Sequence, residues 1–377
     1  MDVIGKLKVF FSKNIEIIII SLIFYWYINR FLPFNKGIEY SYFYYLIDYK
    51  NGFIKRGFIG EIFRLLDITI TSYKIIAINK IIFFILWFLI IQIIKKIFFF
   101  NKSLIYLLVT FILLNPALLK NYWIDLGRFD ILGAIATCII ILSSKKYSSL
   151  LLFFFTIILL LIHEGQLFLF IPSILFTWYL KNKDSFSKNK IYFLMYIFFL
   201  VMCTAIISIY GNIKIPFHDF KNSIEERNIE KYKYYFYTNL FTGNTILDIK
   251  NSIIFNLTHF RLWVYGTASI LYTVYVMSFF LSIYKIRLSQ NMYALLTIIG
   301  LMNLSMILLG LDGYRWISNT SFAFLLNIFS ILVTSENKTE VSTREIFKEE
   351  RNKSRLVFIL LSFFILSQIS YIGITSV

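Results

Sequence analysis

The sequence contains little of what builds a soluble, disulfide-linked or metal-binding protein. Only 2 of its 377 residues are cysteine and 3 are histidine, and their spacing fits no metal signature. Charged residues make up 16% of the chain, against about 25% in soluble domains. Both cysteines, Cys138 and Cys203, fall inside apolar runs. We therefore predict no disulfide, no metal and no cofactor.

Apolar residues are abundant instead. The chain is 58% hydrophobic and 20% aromatic, with a mean hydropathy of +0.72. A membrane-spanning helix needs about 20 mostly apolar residues, and such runs follow one another along the sequence. They lie near 15–33, 75–94, 104–119, 130–142, 149–163, 166–180, 191–210, 262–284, 290–310, 317–334 and 356–376. The sequence thus predicts an all-α polytopic integral membrane protein with about eleven spans and a single transmembrane domain, 1–377.

Acidic residues are scarce relative to basic ones, and the distribution of the excess indicates topology. The formal net charge is +17, a value that would also suit a nucleic-acid-binding surface. More than half of the 38 basic residues, however, fall in the N-terminus and in every second connecting segment. Short cytoplasmic loops of membrane proteins are enriched in Lys and Arg in this way. The pattern predicts an N-terminus inside, a C-terminus outside, outer loops at 34–73 and 211–261, and no nucleic-acid partner.

Residues 149–180 can be counted as one crossing or as two. As one helix they would measure about 46 Å, which is too long for a bilayer core of about 30 Å. A single crossing would also place the basic segment 335–355 outside. We therefore predict two short or strongly tilted crossings that meet at His163-Glu164-Gly165.

The first outer loop, 34–73, has the pattern of two interfacial helices. Tyr40, Tyr44 and Ile47 share a helical face, which predicts a helix lying at the membrane interface with Asp48 at its end. From residue 58 onward an apolar stripe faces charged residues, which predicts a second interfacial helix.

Two adjacent cations, Lys55 and Arg56, lie between glycines in the same loop. Cationic side chains together with free backbone N–H groups are typical of an anion site. The same pair also suits ordinary anchors for lipid headgroups. Both interpretations are open at the level of this segment.

Two further outer segments combine charges of both signs. Asp125 and Arg128 are three residues apart and would pair on one helix face just before a predicted span. His163 and Glu164 lie at the predicted fold-back, where ionisable groups at membrane depth indicate function. A structural ion pair is the alternative for both segments.

The remaining candidates lie in later outer segments. Asp312 and Arg315 flank a tight turn with an interfacial Trp, which also suits a simple polar turn. The loop 211–261 is rich in tyrosine and ends at Arg261. Aromatic side chains next to polar groups suit sugar stacking, but they equally suit an amphipathic helix on the bilayer. Acidic and basic residues are thus predicted to converge on the outer face.

In size, number of predicted spans, outer-loop arginines and an acidic residue in the first outer segment, the chain resembles the O-antigen and capsule polymerases of the Wzy type. More loosely, it is similar to multi-span glycosyltransferases that use polyprenyl-linked sugar donors. The resemblance implies a multi-pass protein of the bacterial inner membrane. It also implies partners: undecaprenyl-pyrophosphate-linked oligosaccharide, membrane lipids, a chain-length regulator and a flippase.

The chemistry implied by the resemblance is polymerisation of lipid-linked repeat units by glycosyl transfer at the periplasmic face. Such a step needs a carboxylate that takes the acceptor proton and cations that stabilise the departing pyrophosphate. Asp48 is the first candidate base, with Asp125 and Glu164 as rivals. The candidate substrate ligands are Lys55, Arg56, Arg128, His163, Arg261, Asp312 and Arg315.

Two other functions are compatible with the same pattern. A transferase that moves a single sugar from a polyprenyl-linked donor would use the same face and base. A flippase or exporter of lipid-linked oligosaccharide would instead need polar residues near the middle of the membrane. Charged residues are nearly absent from the middle of the predicted spans, which favours an enzyme.

Overall fold

The computed structural model describes residues 21–22, 25, 38–98, 102–115, 118–124, 127–228, 250, 253–254, 257–258, 260–309 and 313–335. The elements of that part of the chain are helices. They are α1 (Ile38–Leu46), α2 (Phe58–Leu65), α3 (Ser72–Ile97), α4 (Lys102–Leu114), α5 (Leu119–Ile124), α6 (Asp130–Leu142), α7 (Lys145–Ile162), a 3₁₀ helix (Glu164–Leu167), α8 (Ile171–Lys181), α9 (Lys183–Tyr210), α10 (Phe217–Glu225), α11 (Phe260–Ile283), α12 (Gln290–Leu309) and α13 (Gly313–Thr334).

The all-helical prediction is confirmed for the described residues, and the apolar helices among them are compatible with a membrane protein. Five helices are long and apolar enough to cross a bilayer, namely α3, α7, α9, most of α11 and most of α13. The predicted span at 356–376 lies outside the described residues, and only residues 21, 22 and 25 of the span at 15–33 are described. The count of eleven spans and their orientation stay predictions.

The apolar run at 104–119 is not one helix. The 13-residue α4 ends at Leu114, and the 6-residue α5 begins after a break at Leu119, the last residue of the run. Pro116 lies in the sequence between them. Proline has no backbone N–H and disfavours helical geometry at the residue before it, which explains why α4 ends where it does.

Residues 145–181 fold back on themselves as predicted. α7 has 18 residues and ends at Ile162, which gives a length of about 27 Å. α8 then runs back beside it, and Trp178 Nε1 near its end donates to Ser149 Oγ near the start of α7 over 2.9 Å. The fold-back lies at His163 and the 3₁₀ helix that follows. With only 11 residues, α8 is shorter than a full crossing.

The helix ends separate into two groups. At one end, Tyr284 after α11 donates to the carbonyl of Ile97 at the end of α3, over 3.0 Å. At the same end of α7, Lys145 pairs with Asp184 at the start of α9, over 3.2 Å. These are the segments in which the sequence concentrates Lys and Arg. Among the described residues of the predicted outer loops, Arg56, Glu164 and Arg315 lie at the opposite ends of the helices.

The predicted orientation is tested by reporter fusions. We expect fusions after Lys146 and Ser335 to report a cytoplasmic location, because the basic segments are retained inside. Fusions after Gly165 and Asp219 should report the periplasm. A cytoplasmic signal at residue 219 would contradict an outer location for the charged residues described next.

The helix predicted before Asp48 is present as α1, but its described side chains are not exposed as those of a helix resting on lipid would be. The described side chains from Ser41 to Ile47 are all buried inside the protein. Tyr42 donates to the carbonyl of Ile70 over 3.0 Å, and Tyr45 accepts from Asn79 over 2.8 Å. The tyrosine hydroxyls therefore find partners within the protein and do not need the membrane surface.

The second predicted interfacial helix keeps the expected character. In α2, Phe63 is buried, whereas Leu65 and the following Leu66 are 68% and 64% exposed. Glu61 and Arg64 pair beside them over 2.6 Å. An exposed apolar edge next to charged side chains suits a helix at the membrane interface.

Candidate functional site

Several predicted site residues, from separate segments that the sequence predicts to be outer, lie in one charged cluster. We call it the outer cluster; its described members are Tyr44, Arg56, Arg128, Asp130, His163, Glu164 and Arg315. Asp125 and Asp312 lie outside the described residues, as does the side chain of Arg261.

The centre of the outer cluster is an ion pair between Arg56 and Glu164. Arg56 Nη2 lies 2.6 Å from Glu164 Oε1, and Arg56 Nε lies 3.1 Å from Oε2. The two side chains are 13% and 18% exposed. A two-point guanidinium–carboxylate contact of this kind is strong and directional. It joins the first outer loop to the fold-back between α7 and α8.

The backbone holds Arg56 in an unusual conformation. Its φ is +66°, in the left-handed region that costs free energy for a residue with a side chain. The preceding Lys55 donates its backbone N–H to the carbonyl of Gly211 over 2.8 Å, which ties the loop to the end of α9. The neighbouring helix end thus helps to fix the conformation that aims Arg56 at Glu164.

Burial and charge act in opposite directions on Glu164. Burial alone would raise the pKa of its carboxyl, but Arg56 holds that pKa well below its usual value. Burial also lowers the pKa of His163 to about 4, and Arg56 contributes to that shift. Glu164 is therefore a carboxylate and His163 a neutral imidazole near pH 7.

His163 shapes the turn that carries Glu164. Its Nδ1 accepts the backbone N–H of Gly165 over 2.9 Å, and its ring lies edge-on to Trp316 at 6.4 Å between centroids. An imidazole whose Nδ1 accepts carries its proton on Nε2 when neutral. From sequence, His163 is predicted to bind substrate. As a neutral imidazole it can do so by donating a hydrogen bond from Nε2, but not as a cation.

Arg128 joins the outer cluster through the ring of Tyr44. The guanidinium carbons of Arg56 and Arg128 each lie 5.9 Å from the centre of that ring. Arg56 Nη1 also donates to the Tyr44 hydroxyl over 3.4 Å. Two cations from different segments thus share one aromatic side chain, an arrangement that cation–π attraction favours.

The predicted pair of Asp125 and Arg128 lies partly outside the described residues, because Asp125 does, but Arg128 itself is not in a helix. Residues 127–129 form a break between α5 and α6, with Gly127 at a φ of +95°. A side chain at Gly127 would lie 2.4 Å from Ser41 Cβ, so glycine is required for the close approach to α1. The break turns the chain there and brings Arg128 to Tyr44.

Arg315 lies in a deeper ion pair. Its Nε is 2.9 Å from Asp130 Oδ2, and the two side chains are 8% and 3% exposed. Asn319, one turn along α13, donates to the same oxygen over 3.0 Å, and Tyr122 donates to Asn319 over 2.9 Å. The pair therefore links α6 to α13 and closes the floor of the outer cluster.

A close helix approach positions the fold-back against α6. A Cβ at Gly133 would lie 2.4 Å from Gln166 Oε1 and 2.6 Å from Phe170 Cδ2. Gln166 also donates to the carbonyl of Phe129 over 3.4 Å. Because glycine leaves this space open, the turn bearing Glu164 can lie beside the start of α6, near Asp130.

Asp48, the first candidate base, has a different environment. One of its oxygens is paired with Arg227, and the other accepts the backbone N–H of Lys50 over 3.0 Å. Arg227 also donates to the carbonyl of Leu46 over 2.8 Å and lies 3.4 Å from that of Gly60. This ion pair connects the segment after α10 to the end of α1, and its contacts are those of a structural ion pair.

We expect Asp48→Asn to reduce the amount of folded protein more than the turnover per molecule. The side chains of Asp48 and Arg227 are 10% and 22% exposed, and losing a charge-assisted hydrogen bond of this kind costs about 2 kcal/mol. Membrane abundance and thermal unfolding in detergent measure the first effect, and activity per molecule measures the second. Loss of activity at normal abundance and stability would restore Asp48 as the base.

Sequence reasoning missed Tyr44, Asp130 and Asn319 as members or supports of the site. The signals in the sequence were Tyr44 on a helix predicted to be interfacial, Asp130 at the start of an apolar run, and Asn319 within another apolar run. An amide or carboxylate in an apolar run needs a partner within the protein, and that requirement could have identified the last two.

The described members of the outer cluster carry three guanidiniums, two carboxylates and an imidazole, so among them cations outnumber anions. Among the described residues there is no group of three or more His, Cys, Asp or Glu side chains placed to hold a metal ion. Comparisons with known protein families, with curated proteins and with solved structures find no match to this chain.

Proposed function

We propose that the chain is a polymerase that joins undecaprenyl-pyrophosphate-linked oligosaccharide units by glycosyl transfer at the periplasmic face of the bacterial inner membrane. The observation that supports this most is the convergence of Arg56, Arg128, Glu164 and Arg315, from four different segments, in one cluster. A substrate with a lipid-linked pyrophosphate requires both cations and access from the membrane. The apolar helices are long enough to hold the cluster in a bilayer, where such a substrate lies.

In the proposed reaction, a hydroxyl oxygen of the acceptor unit attacks the anomeric carbon of the donor sugar. A C–O bond forms there as the bond from that carbon to the pyrophosphate oxygen breaks. The hydroxyl proton passes to the Glu164 carboxylate. Arg56 and Arg128 stabilise the negative charge that develops on the departing undecaprenyl pyrophosphate.

We assign the base to Glu164 in place of Asp48 because their partners differ. Arg227, the partner of Asp48, also donates to a backbone carbonyl, so its position is fixed by the fold. Arg56, the partner of Glu164, is itself a candidate ligand of the pyrophosphate. A substrate anion can therefore replace Glu164 on Arg56 without breaking the ion pair between Asp48 and Arg227.

Deleting the gene in its own organism tests the proposal. We expect the ladder of long polysaccharide on a gel to collapse to single repeat units, and those units to accumulate on the periplasmic side. A ladder of normal spacing with one sugar missing from every unit would indicate a single-sugar transferase. Units that accumulate on the cytoplasmic side would indicate a flippase.

A further inference from the structure

The Arg56–Glu164 ion pair places a protein carboxylate where the proposed reaction requires a substrate anion. Glu164 contacts both Nε and Nη2 of Arg56, the edge of the guanidinium that a phosphate group would also use. Arg128 lies over the ring of Tyr44, which Arg56 also approaches. The cation that should receive the pyrophosphate is thus already occupied by the carboxylate that should act as base.

We propose that Glu164 is an internal substitute for the donor's pyrophosphate, and that the incoming pyrophosphate displaces it from Arg56 and frees it to accept the acceptor's proton. The inference rests on the proposed function and adds an order of events to it. The donor binds first, and its binding activates the base. No covalent bond changes in this step; two anions exchange on one guanidinium.

The geometry allows this pair to open while its neighbour stays closed. The side chains of Arg56 and Glu164 are 13% and 18% exposed, against 8% and 3% for Arg315 and Asp130. Glu164 lies in a 3₁₀ helix of four residues, a type of helix with poorer hydrogen-bond geometry than an α-helix. The backbone of Arg56 is in the left-handed region, where strain is common at residues that act in function.

The exchange also accounts for a carboxylate that is a poor base at rest. In the closed pair, Arg56 holds the pKa of Glu164 well below its usual value, so the carboxylate takes up a proton weakly. Once the guanidinium is neutralised by phosphate, burial remains, and burial raises the pKa of a carboxyl. A base with a pKa nearer the ambient pH is more effective.

The test uses the full chain in nanodiscs of zwitterionic lipid, with inorganic pyrophosphate as the probe and calorimetry as the measurement. If Glu164 competes with the anion, Glu164→Gln should bind pyrophosphate about tenfold more tightly than the wild type, since charge-assisted bonds are worth at least that factor. Arg56→Gly should bind at least about tenfold more weakly. Glycine is chosen because it adopts the φ of +66° without strain.

Glu61→Gln is the matched control. Glu61 makes the same two-point contact with Arg64, over 2.6 and 2.9 Å, in the same outer loop. We expect its substitution to leave pyrophosphate affinity unchanged. If it tightens binding as much as Glu164→Gln does, the effect is one of net charge and the proposed exchange is wrong.

A second measurement covers the case in which Glu164→Gln is poorly folded. Infrared difference spectra of the wild type should show a shifted carboxylate band when pyrophosphate is added, because a carboxylate leaves a guanidinium. The Glu61→Gln variant should show the same shift of the carboxylate band when pyrophosphate is added. Wild-type protein that binds pyrophosphate without a carboxylate change would overturn the exchange.

The remaining outcomes separate this inference from the proposed function. Unchanged or weaker pyrophosphate binding by folded Glu164→Gln overturns the exchange, whether or not the wild type makes polymer. Tighter binding by Glu164→Gln, where the wild-type protein makes no polymer either, supports the exchange and overturns the proposed function. Loss of pyrophosphate binding in nanodiscs that contain phosphatidylglycerol would assign Arg56 to lipid headgroups and overturn the exchange as well.

Discussion

Glu164→Gln is expected to abolish long polysaccharide while the protein stays in the membrane. Losing a positioned general base typically costs about 10²–10⁴-fold in rate, which would leave single repeat units in place of a ladder. Glutamine keeps the size of the side chain and an oxygen that accepts from Arg56, so the contact at 2.6 Å is partly retained. The measurement is polymer formed per molecule, with abundance determined by immunoblot.

Glu61→Gln is again the appropriate control, since it removes a carboxylate from an arginine pair in the same outer loop. Its ladder should match that of the wild type. Polymer of normal length from Glu164→Gln at normal abundance would remove Glu164 from the mechanism.

Arg56→Gly is expected to cause a loss of similar size by a different route. Removing one donor to developing negative charge typically costs about 10²–10³-fold in rate, and Arg56 is the cation that makes the two-point contact with Glu164. Lysine at the same position should restore activity only partly, because it cannot offer the planar two-point contact of arginine. Polymer length and yield at matched protein abundance give the comparison.

Arg64→Gln is the control for this substitution, because Arg64 lies in the same loop and is exposed. It should leave the polymer unchanged, and Arg128→Ala should reduce it. If Arg56→Gly and Arg128→Ala both leave the polymer at full length, these arginines are headgroup anchors and the assignment of the outer cluster is wrong.

The helices could largely be predicted from hydropathy, because membrane spans follow from local composition. The runs predicted at 130–142, 191–210 and 290–310 correspond to α6, α9 and α12, with ends that differ by at most eight residues at α9. The fold-back at His163 was also predictable, because the run 149–180 is too long for one crossing. The break after α4 is the exception, where proline outweighs hydropathy.

The partners within the outer cluster could not be predicted, because they are far apart in sequence. Arg56 and Glu164 are separated by 108 residues, Asp48 and Arg227 by 179. Which carboxylate meets which guanidinium is decided by helix packing, including the close approaches at Gly127 and Gly133. The sequence predicted one outer face with charges of both signs. It ranked Asp48 above Glu164 as the candidate base because the pairing of Asp48 with Arg227 could not be inferred from sequence.

The central claim is that this chain alone extends lipid-linked sugar units at the outer cluster. The most direct measurement reconstitutes the purified protein in liposomes with purified undecaprenyl-pyrophosphate-linked repeat units and follows product length and release of undecaprenyl pyrophosphate. We expect a ladder of polymers, one molecule of undecaprenyl pyrophosphate released per bond formed, and neither product from Glu164→Gln. Unextended repeat units with the wild-type protein, or equal polymer from Glu164→Gln, would contradict it.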